Sequence, residues 1–164
     1  MWQQRTISPR RARAALTAVG LACGTWLVAG VDQAGAVPVH VAGTTVHVIE
    51  HAITDTEIPA GGGKDVKGNI LTFNNPVYNV ANNKQVGHDE GFCTRIAPKQ
   101  GIWECLWTTF VKGGQITVQG PYYDTRNSTL SITGGTGAYR NARGQMKLLS
   151  RNGGKEYDFI FQLG

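Results

Sequence analysis

No segment of this 164-residue chain keeps the apolar period of a helix over three turns. Runs rich in Val, Ile, Thr, Tyr, Phe and Trp recur instead, and short turn sequences rich in glycine separate them. The missing helical pattern and the recurring short runs together predict an all-β protein.

Several sequence signatures of catalysis are also missing. His47 and His51 lie in one predicted strand, about 13 Å apart at roughly 3.3 Å per residue, so they cannot share a zinc ion. No other Cys/His cluster has ligand spacing, and the glycine-rich run 134–137 lacks the lysine and the helix of a phosphate-binding loop. No serine lies in a nucleophile-elbow sequence. We therefore predict no metal site, no phosphate loop and no serine hydrolase.

After residue 36 the chain has little excess of positive over negative charge. The formal net charge is +5, but four of the 16 basic residues precede residue 37. Asp32 is the one acidic residue there, so the remainder carries a net charge of +2. No run of Lys or Arg follows, and we expect no nucleic-acid partner.

The first 36 residues have the three parts of an export signal. The cationic start contains four arginines, Arg5, Arg10, Arg11 and Arg13. An apolar stretch covers 14–31, and Ala34-Gly35-Ala36 precedes Val37. We predict cleavage after Ala36, secretion of a single domain at 37–164, and no stable membrane anchor after cleavage. An uncleaved anchor is the alternative, because the apolar stretch is nearly long enough to span a bilayer.

The mature chain contains eight predicted strands. They cover Thr44 to Thr54, Gly68 to Asn74, Gln85 to Ile96, Ile102 to Val111, Gln115 to Asp124, Ser128 to Thr133, Gly144 to Arg151 and Glu156 to Leu163. Closing such strands into a barrel removes exposed edges, and eight strands leave room for about one small ligand. We therefore predict an eight-stranded antiparallel β-barrel, with a β-sandwich as the alternative.

Hairpin register predicts a cysteine pair. If the loop after the third predicted strand is centred on Lys99, Cys93 lies opposite Cys105 and Arg95 lies opposite Trp103. Nearby cysteines of an exported protein usually form a disulfide. We expect a Cys93–Cys105 disulfide, and two thiols in a pocket wall are the alternative.

The following hairpin extends this map to a third strand. A turn centred between residues 113 and 114 would place Cys105 opposite Tyr122 and Trp107 opposite Gly120. One face of the three strands then carries Cys93, Trp103, Cys105, Trp107, Val118 and Tyr122. Such a face is either ordinary core or the wall of a cavity for an apolar ligand.

Glu50 is an acidic residue in an otherwise apolar row. Alternation along the first strand places it on one side with Val46, Val48 and Ala52. If this row faces the interior, burial would raise the pKa of Glu50 and suit it to proton transfer or charge stabilisation. If the row faces solvent, Glu50 is an ordinary surface carboxylate.

Three blocks of sequence carry a resemblance to a known family. They are residues 91–93 (Gly-Phe-Cys), 116–122 (Ile-Thr-Val-Gln-Gly-Pro-Tyr) and 132–137 (Ile-Thr-Gly-Gly-Thr-Gly), the last followed by Gly144-Gln145. This pattern resembles plant allene oxide cyclases. The segment 136–144 also resembles dirigent proteins, and the likeness spans most of the chain after residue 45.

The resemblance implies an eight-stranded barrel, commonly a homotrimer, that holds a hydrophobic small molecule in an apolar cavity and needs no cofactor. It also implies roles for particular residues. Glu50 matches the active-site glutamate, Asn75 and Pro59 match the polar set around the substrate, and Cys93 and Tyr122 match cavity-wall residues.

Two functions follow as hypotheses. The first is a cofactor-independent isomerase or cyclase of a hydrophobic unsaturated molecule, with Glu50, Asn75 and Pro59 as catalytic residues. Its substrate-binding residues would be Cys93, Trp103, Trp107 and Tyr122. The second is a secreted dirigent-like or lipocalin-like barrel that binds a ligand without catalysis, which Ala52 and Ile58 favour, since the cyclases have asparagine and serine there. A barrel filled by its own side chains is a third possibility.

Overall fold

The structure is a computed structural model, and it describes residues 43–164. The predicted export segment, its cleavage after Ala36 and the first residues of the mature chain lie outside the described residues. Between residues 43 and 164, no helix is long and apolar enough to cross a membrane.

The described chain consists of β-strands joined by short loops and single turns of 3-10 helix. The strands are β1 Thr45–His51, β2 Thr56–Ile58, β3 Ile70–Tyr78, β4 Gln85–Ala97, β5 Ile102–Val111, β6 Gly114–Tyr123, β7 Ser128–Gly135, β8 Gly144–Arg151 and β9 Glu156–Leu163. Three of the predicted strands, those corresponding to β5, β8 and β9, have the predicted bounds.

Eight of these strands form a closed antiparallel barrel. Neighbours follow the order β1-β9-β8-β7-β6-β5-β4-β3, and β1 pairs with β3 through Ile49–Tyr78 and Glu50–Val77 to close the ring. The predicted eight-stranded barrel is confirmed. The extra strand β2 pairs with the start of β3. It was not predicted, because its three residues are all exposed and show no alternation.

The β4–β5 register is as predicted, with Cys93 opposite Cys105 and Arg95 opposite Trp103. Cys93 and Cys105 form the expected disulfide. Both half-cystines are buried, at 2% exposure each. The disulfide therefore lies inside the barrel wall, and neither sulfur is a free thiol.

The predicted β5–β6 register is wrong by two residues. Cys105 lies opposite Gly120, Trp107 opposite Val118, and Trp103 opposite Tyr122. The turn consists of residues 112–113, because Gly113 takes the left-handed conformation with φ of 101°. A shift of two residues keeps the same side chains on the same face, so the predicted aromatic face survives the error.

The barrel interior is built from alternate residues of every strand. Its largest fully buried apolar side chains are Phe159, Phe161, Ile116, Leu130 and Met146. Two lateral rows matter for the site. One contains Leu71, Cys93 and Cys105, and the other contains Asn75, Asp89 and Thr109.

Candidate functional site

Glu50 faces the barrel interior. It lies on β1 two residues after Val48, and the two side chains are 5% and 4% exposed. Its strand partners are Val77 on β3 and Tyr157 on β9. The inward orientation places a carboxyl group among apolar and aromatic side chains.

Asn75 holds this carboxyl group in place. Its Nδ2 donates to Glu50 Oε1 and to Asp55 Oδ1, both at 2.7 Å. Its Oδ1 accepts hydrogen bonds from the backbone N–H groups of Ile53 and Thr54 at 3.0 and 2.9 Å, and from the Thr54 hydroxyl at 2.9 Å. The fully buried Asn75 thus fixes both the carboxyl groups and the loop after β1.

A cavity of about 70 Å³ adjoins Glu50 and is partly open to solvent. Apart from Glu50 and Asp55, its lining is apolar or aromatic: Leu71, Phe73, Cys93, Cys105, Trp107, Tyr122, Leu148, Tyr157 and Phe159. Asp55 is exposed and Glu50 is buried, so the acidic groups run from the opening to the interior. The site combines an apolar wall with carboxyl groups at one side.

Burial raises the pKa of Glu50 to about 8, and the nearby charge of Asp55 acts in the same direction. The hydrogen bond from Asn75 offsets part of this rise, because it favours the carboxylate. Glu50 is therefore mainly a neutral carboxylic acid at pH 7. Such a group can donate a proton or a hydrogen bond to a ligand.

The structure brings together most of the predicted site residues. Glu50 and the wall residues Cys93, Trp107 and Tyr122 line the cavity. Asn75 lies directly behind Glu50.

Three predicted site residues lie outside the cavity lining, and one of them is Asn75, which contacts Glu50. Trp103 is buried near the start of β5, before the lining residues Cys105 and Trp107, and its Nε1 donates to Asp124 Oδ1 at 2.9 Å. Pro59 is exposed after β2. The lining thus contains four of the seven predicted site residues, together with residues that were not predicted.

Two tyrosines bridge the barrel beside the cavity. The hydroxyl groups of Tyr122 on β6 and Tyr157 on β9 are 2.9 Å apart. Burial raises the pKa of both, so they stay protonated at neutral pH. A second hollow of about 230 Å³ shares Tyr122, Tyr157 and Leu148 with the first cavity. The tyrosine pair therefore lies in the wall common to both hollows.

Sequence reasoning missed several acidic and aromatic members of this region. Asp55 lies in the loop after β1, and only the hydrogen bond to Asn75 brings it to the site. Asp89 lies on β4 four residues before Cys93, so strict alternation would have placed it inside the barrel. Tyr157 could have been found by pairing the first and last strands, where it lies opposite Glu50.

The family model for allene oxide cyclase matches residues 45–151, which include β1 to β8. The chain belongs to the allene oxide cyclase family. This confirms the resemblance drawn from the sequence, and family membership supports a role in cyclising or binding a small molecule inside the barrel.

Solved structures show the same fold. A pyocyanin demethylase is 23% identical and aligns over 72% of this chain and 100% of its own, with a TM-score of 0.62. A pterocarpan synthase dirigent protein is 18% identical over 76% of this chain and 94% of its own, also with a TM-score of 0.62. The Diels–Alderase AbmU from Streptomyces koyangensis is 9% identical over 74% of this chain and 69% of its own, with a TM-score of 0.57.

The disulfide between Cys93 and Cys105 fits an oxidising compartment, as in an extracellular protein. Secretion itself, and the export segment that would direct it, stay predictions.

Proposed function

We propose that this protein is a cofactor-independent isomerase or cyclase that folds a hydrophobic unsaturated small molecule inside the barrel. The observation that carries this proposal is the buried carboxyl group of Glu50 at the side of an apolar, aromatic cavity, and its raised pKa agrees with a proton-donating role. A folded substrate would be held close to its ring-closing geometry by the wall, which lowers the entropic part of the barrier.

Glu50 would act as the proton donor. One of its oxygens, Oε1, is held by Asn75. Within residues 43–164 no group hydrogen-bonds to Oε2, and the side chain lines the cavity. A ligand oxygen that gains negative charge as a bond breaks would take a proton or a hydrogen bond from Oε2. The proton returns to Glu50 when the product forms, so an isomerisation needs no other reagent.

Asn75 supports this role by positioning Glu50, since all of its polar atoms are already used within the protein. Cys93 contributes as half of a disulfide in the wall and not as a thiol. The catalytic role of Pro59 and the homotrimeric assembly stay predictions from the family resemblance.

The size of the site constrains the substrate. Ligand sites usually enclose roughly 300–1,000 Å³, and the inner cavity alone is smaller, at about 70 Å³. The second hollow, at about 230 Å³, lies beyond the Tyr122–Tyr157 pair. We propose that a substrate larger than a few atoms separates these hydroxyl groups and occupies both hollows.

A dirigent-like or lipocalin-like binding barrel is the second candidate function. It is favoured by the small number of polar groups in the lining, where Glu50 and Asp55 supply the only carboxyl groups among residues 43–164. In that case Glu50 would donate a hydrogen bond to the ligand without transferring a proton.

A chiral product analysis tests the first proposal. A fatty-acid allene oxide is generated in solution with the protein, with Glu50→Gln, with the control Glu90→Gln, or with no protein. Glu90 is exposed on the outer face of β4. We expect an enantiomeric excess with the protein and the control, and its loss with Glu50→Gln. A racemic product in every sample would contradict cyclisation of this substrate class, and ligand binding without turnover would favour the binding barrel.

A further inference from the structure

A second carboxyl group, that of Asp89, lies deeper in the barrel than Glu50. Asp89 is fully buried, at 0% exposure, on the inner face of β4. Its direct strand partners are Asn75 on β3 and Thr109 on β5, and both are also fully buried. Glu50 and Asp89 therefore flank the same asparagine side chain.

Asp89 contributes no side-chain hydrogen bond to the described part of the fold. Neither of its carboxyl oxygens has a side-chain partner within residues 43–164, and Thr109 Oγ1 and Trp107 Nε1 have no hydrogen-bond partner there. The Asn75 side chain cannot supply one, because both hydrogens of its Nδ2 are directed to Glu50 and Asp55. The backbone N–H groups of Asp89 and Asn75 lie near the carboxyl group and offset part of the rise in its pKa. A buried acid with so little hydrogen bonding destabilises a fold, so its presence calls for a role other than packing.

Among residues 43–164, no cation lies close enough to neutralise Asp89. The buried Arg95 is six residues further along β4, about 20 Å away at roughly 3.3 Å per residue. Its guanidinium is paired with Asp65 and Asp124. The charged groups that act on Asp89 are Glu50 from β1 and Asp55 from the loop after it, and both are acidic. The adjacent strands β3 and β5 present the uncharged Asn75 and Thr109.

We propose that Asp89 is the proton store of the candidate site, and that it remains a carboxylic acid while Glu50 is ionised and returns a proton to it. The catalytic meaning of this inference rests on the proposed function. Burial and then the charge of Glu50 raise the pKa of Asp89 to about 9. We expect Glu50 to ionise first, because the Asn75 side chain donates a hydrogen bond to its carboxylate and no side chain within residues 43–164 donates one to Asp89.

The proton balance closes within the protein and the ligand. Glu50 loses its proton to a ligand oxygen and becomes a carboxylate. The O–H bond of Asp89 then breaks, its proton binds Glu50, and the negative charge moves to Asp89. When the product releases the proton that the ligand received, that proton binds Glu50 while the proton already on Glu50 moves back to Asp89, so both acids regain their starting state. The transfer requires the two acids to come within hydrogen-bond reach, directly or through one water molecule.

A titration of the ligand-free protein tests, without any substrate, whether Asp89 holds a proton at neutral pH. The side-chain carboxyl carbons of aspartate are labelled with ¹³C, and the Asp89 resonance is identified by its loss in Asp89→Asn. If that variant does not fold, Asp89→Glu removes the same resonance. We expect Asp89 to be protonated at pH 7 and to titrate above pH 8. In Glu50→Gln, the midpoint should fall by roughly half a pH unit or more, because a nearby negative charge has been removed.

Glu90→Gln is the matched control, since it removes a carboxylate next to Asp89 in sequence but on the outer, exposed face of β4. It should leave the Asp89 midpoint unchanged. An Asp89 that is ionised at pH 7, or a midpoint that does not respond to Glu50→Gln, would overturn the proposal. Because this experiment needs no turnover, its failure is distinct from the failure of the proposed function.

A second experiment applies once a substrate is turned over. Asp89→Asn should lower the turnover rate roughly tenfold or more, because proton return to Glu50 is slowed. Ligand affinity should stay within about twofold, because Asp89 does not line the cavity. Unchanged turnover in Asp89→Asn across the pH range would contradict the proton store even if the titration behaves as expected.

Discussion

The barrel buries ionisable side chains in two regions. In one region the buried group is paired with opposite charges, and in the other the buried groups are acids that lie next to each other. Near the loops that follow β4 and β6, Arg95 is 6% exposed and forms ion pairs with Asp65 and with Asp124, the latter at 2.6 Å. Its guanidinium also lies 4.0 Å from the ring centre of Trp103. Near the closure of the barrel, Glu50 and Asp89 are similarly buried, but no cation from the described part of the chain lies beside them.

The difference separates a structural site from a functional one. A buried charge that is paired and hydrogen-bonded stabilises a fold through its partners, and breaking the pair is costly. Buried acids without a counter-ion keep their protons instead, and such perturbed groups beside a cavity are typical of functional sites. We expect substitutions in the two regions to change stability and activity in different proportions.

Arg95→Ala should have the largest effect on stability. It removes charge-assisted hydrogen bonds and the contact with Trp103, and we expect a loss of about 3 kcal/mol in the free energy of unfolding. Urea denaturation measures this loss. Arg126→Ala is the control, because Arg126 is exposed and stacks only on Tyr123. A loss no larger than that of the control would show that the Arg95 cluster does not stabilise the barrel.

Asn75→Ala should come next, with a loss of about 2 kcal/mol, because it leaves Glu50 and the loop after β1 without their hydrogen-bond partner. Unlike Arg95→Ala, it should also raise the pKa of Glu50, since the Asn75 hydrogen bond favours the carboxylate. Chemical denaturation and a carboxyl titration check both effects. Equal pKa values in the variant and the parent would show that Asn75 does not act on Glu50.

The pH dependence of stability should reveal the unpaired acids. Because the pKa values of Glu50 and Asp89 are raised in the folded state, the folded protein binds more protons than the unfolded chain between about pH 4 and pH 9. Stability therefore falls as pH rises. Each of the two groups keeps close to one extra proton over most of this interval, so we expect a loss of about 5 kcal/mol between pH 6 and pH 8.

The double variant Glu50→Gln, Asp89→Asn sharpens this prediction. It should be more stable than the parent at pH 8, and its free energy of unfolding should change little from pH 6 to pH 8. Denaturation curves at a series of pH values measure the slope. A parent protein that is equally stable at both pH values would contradict the raised pKa values.

Tyr122→Phe should have the smallest effect on stability. It removes the hydroxyl contact with Tyr157, for a loss of about 1 kcal/mol or less. If the tyrosine pair separates the two hollows, an apolar fluorescent probe should bind faster to this variant. Stopped-flow fluorescence measures the association rate. Equal rates in the variant and the parent would argue against the pair as a barrier to entry.

Much of the barrel could be predicted because alternation and turn residues are local features. The β4–β5 register followed from one loop, and an error of two residues at Gly113 still preserved the aromatic face. The short strand β2 could not be predicted from Thr56–Ile58, because pairing with β3 defines it and no buried face does.

The site was less predictable because it depends on contacts between distant strands. Glu50 stands out as an acid in an apolar row, and the resemblance strengthened that interpretation. Asp89 lies in a polar run with His88 and Glu90, which hides its inward orientation. Asp55 lines the cavity from a loop and is held there by the side chain of Asn75, and no local pattern reveals a hydrogen bond between such distant positions.

The central claim is that Glu50 is a neutral acid beside a ligand cavity at physiological pH. The most direct test is a titration of its side-chain carboxyl carbon by ¹³C NMR in the ligand-free protein, with the resonance assigned by Glu50→Gln. We predict a midpoint near pH 8, at the raised pKa of about 8. A midpoint near the ordinary value of 4.5 would show an ionised carboxylate at neutral pH and would contradict the account.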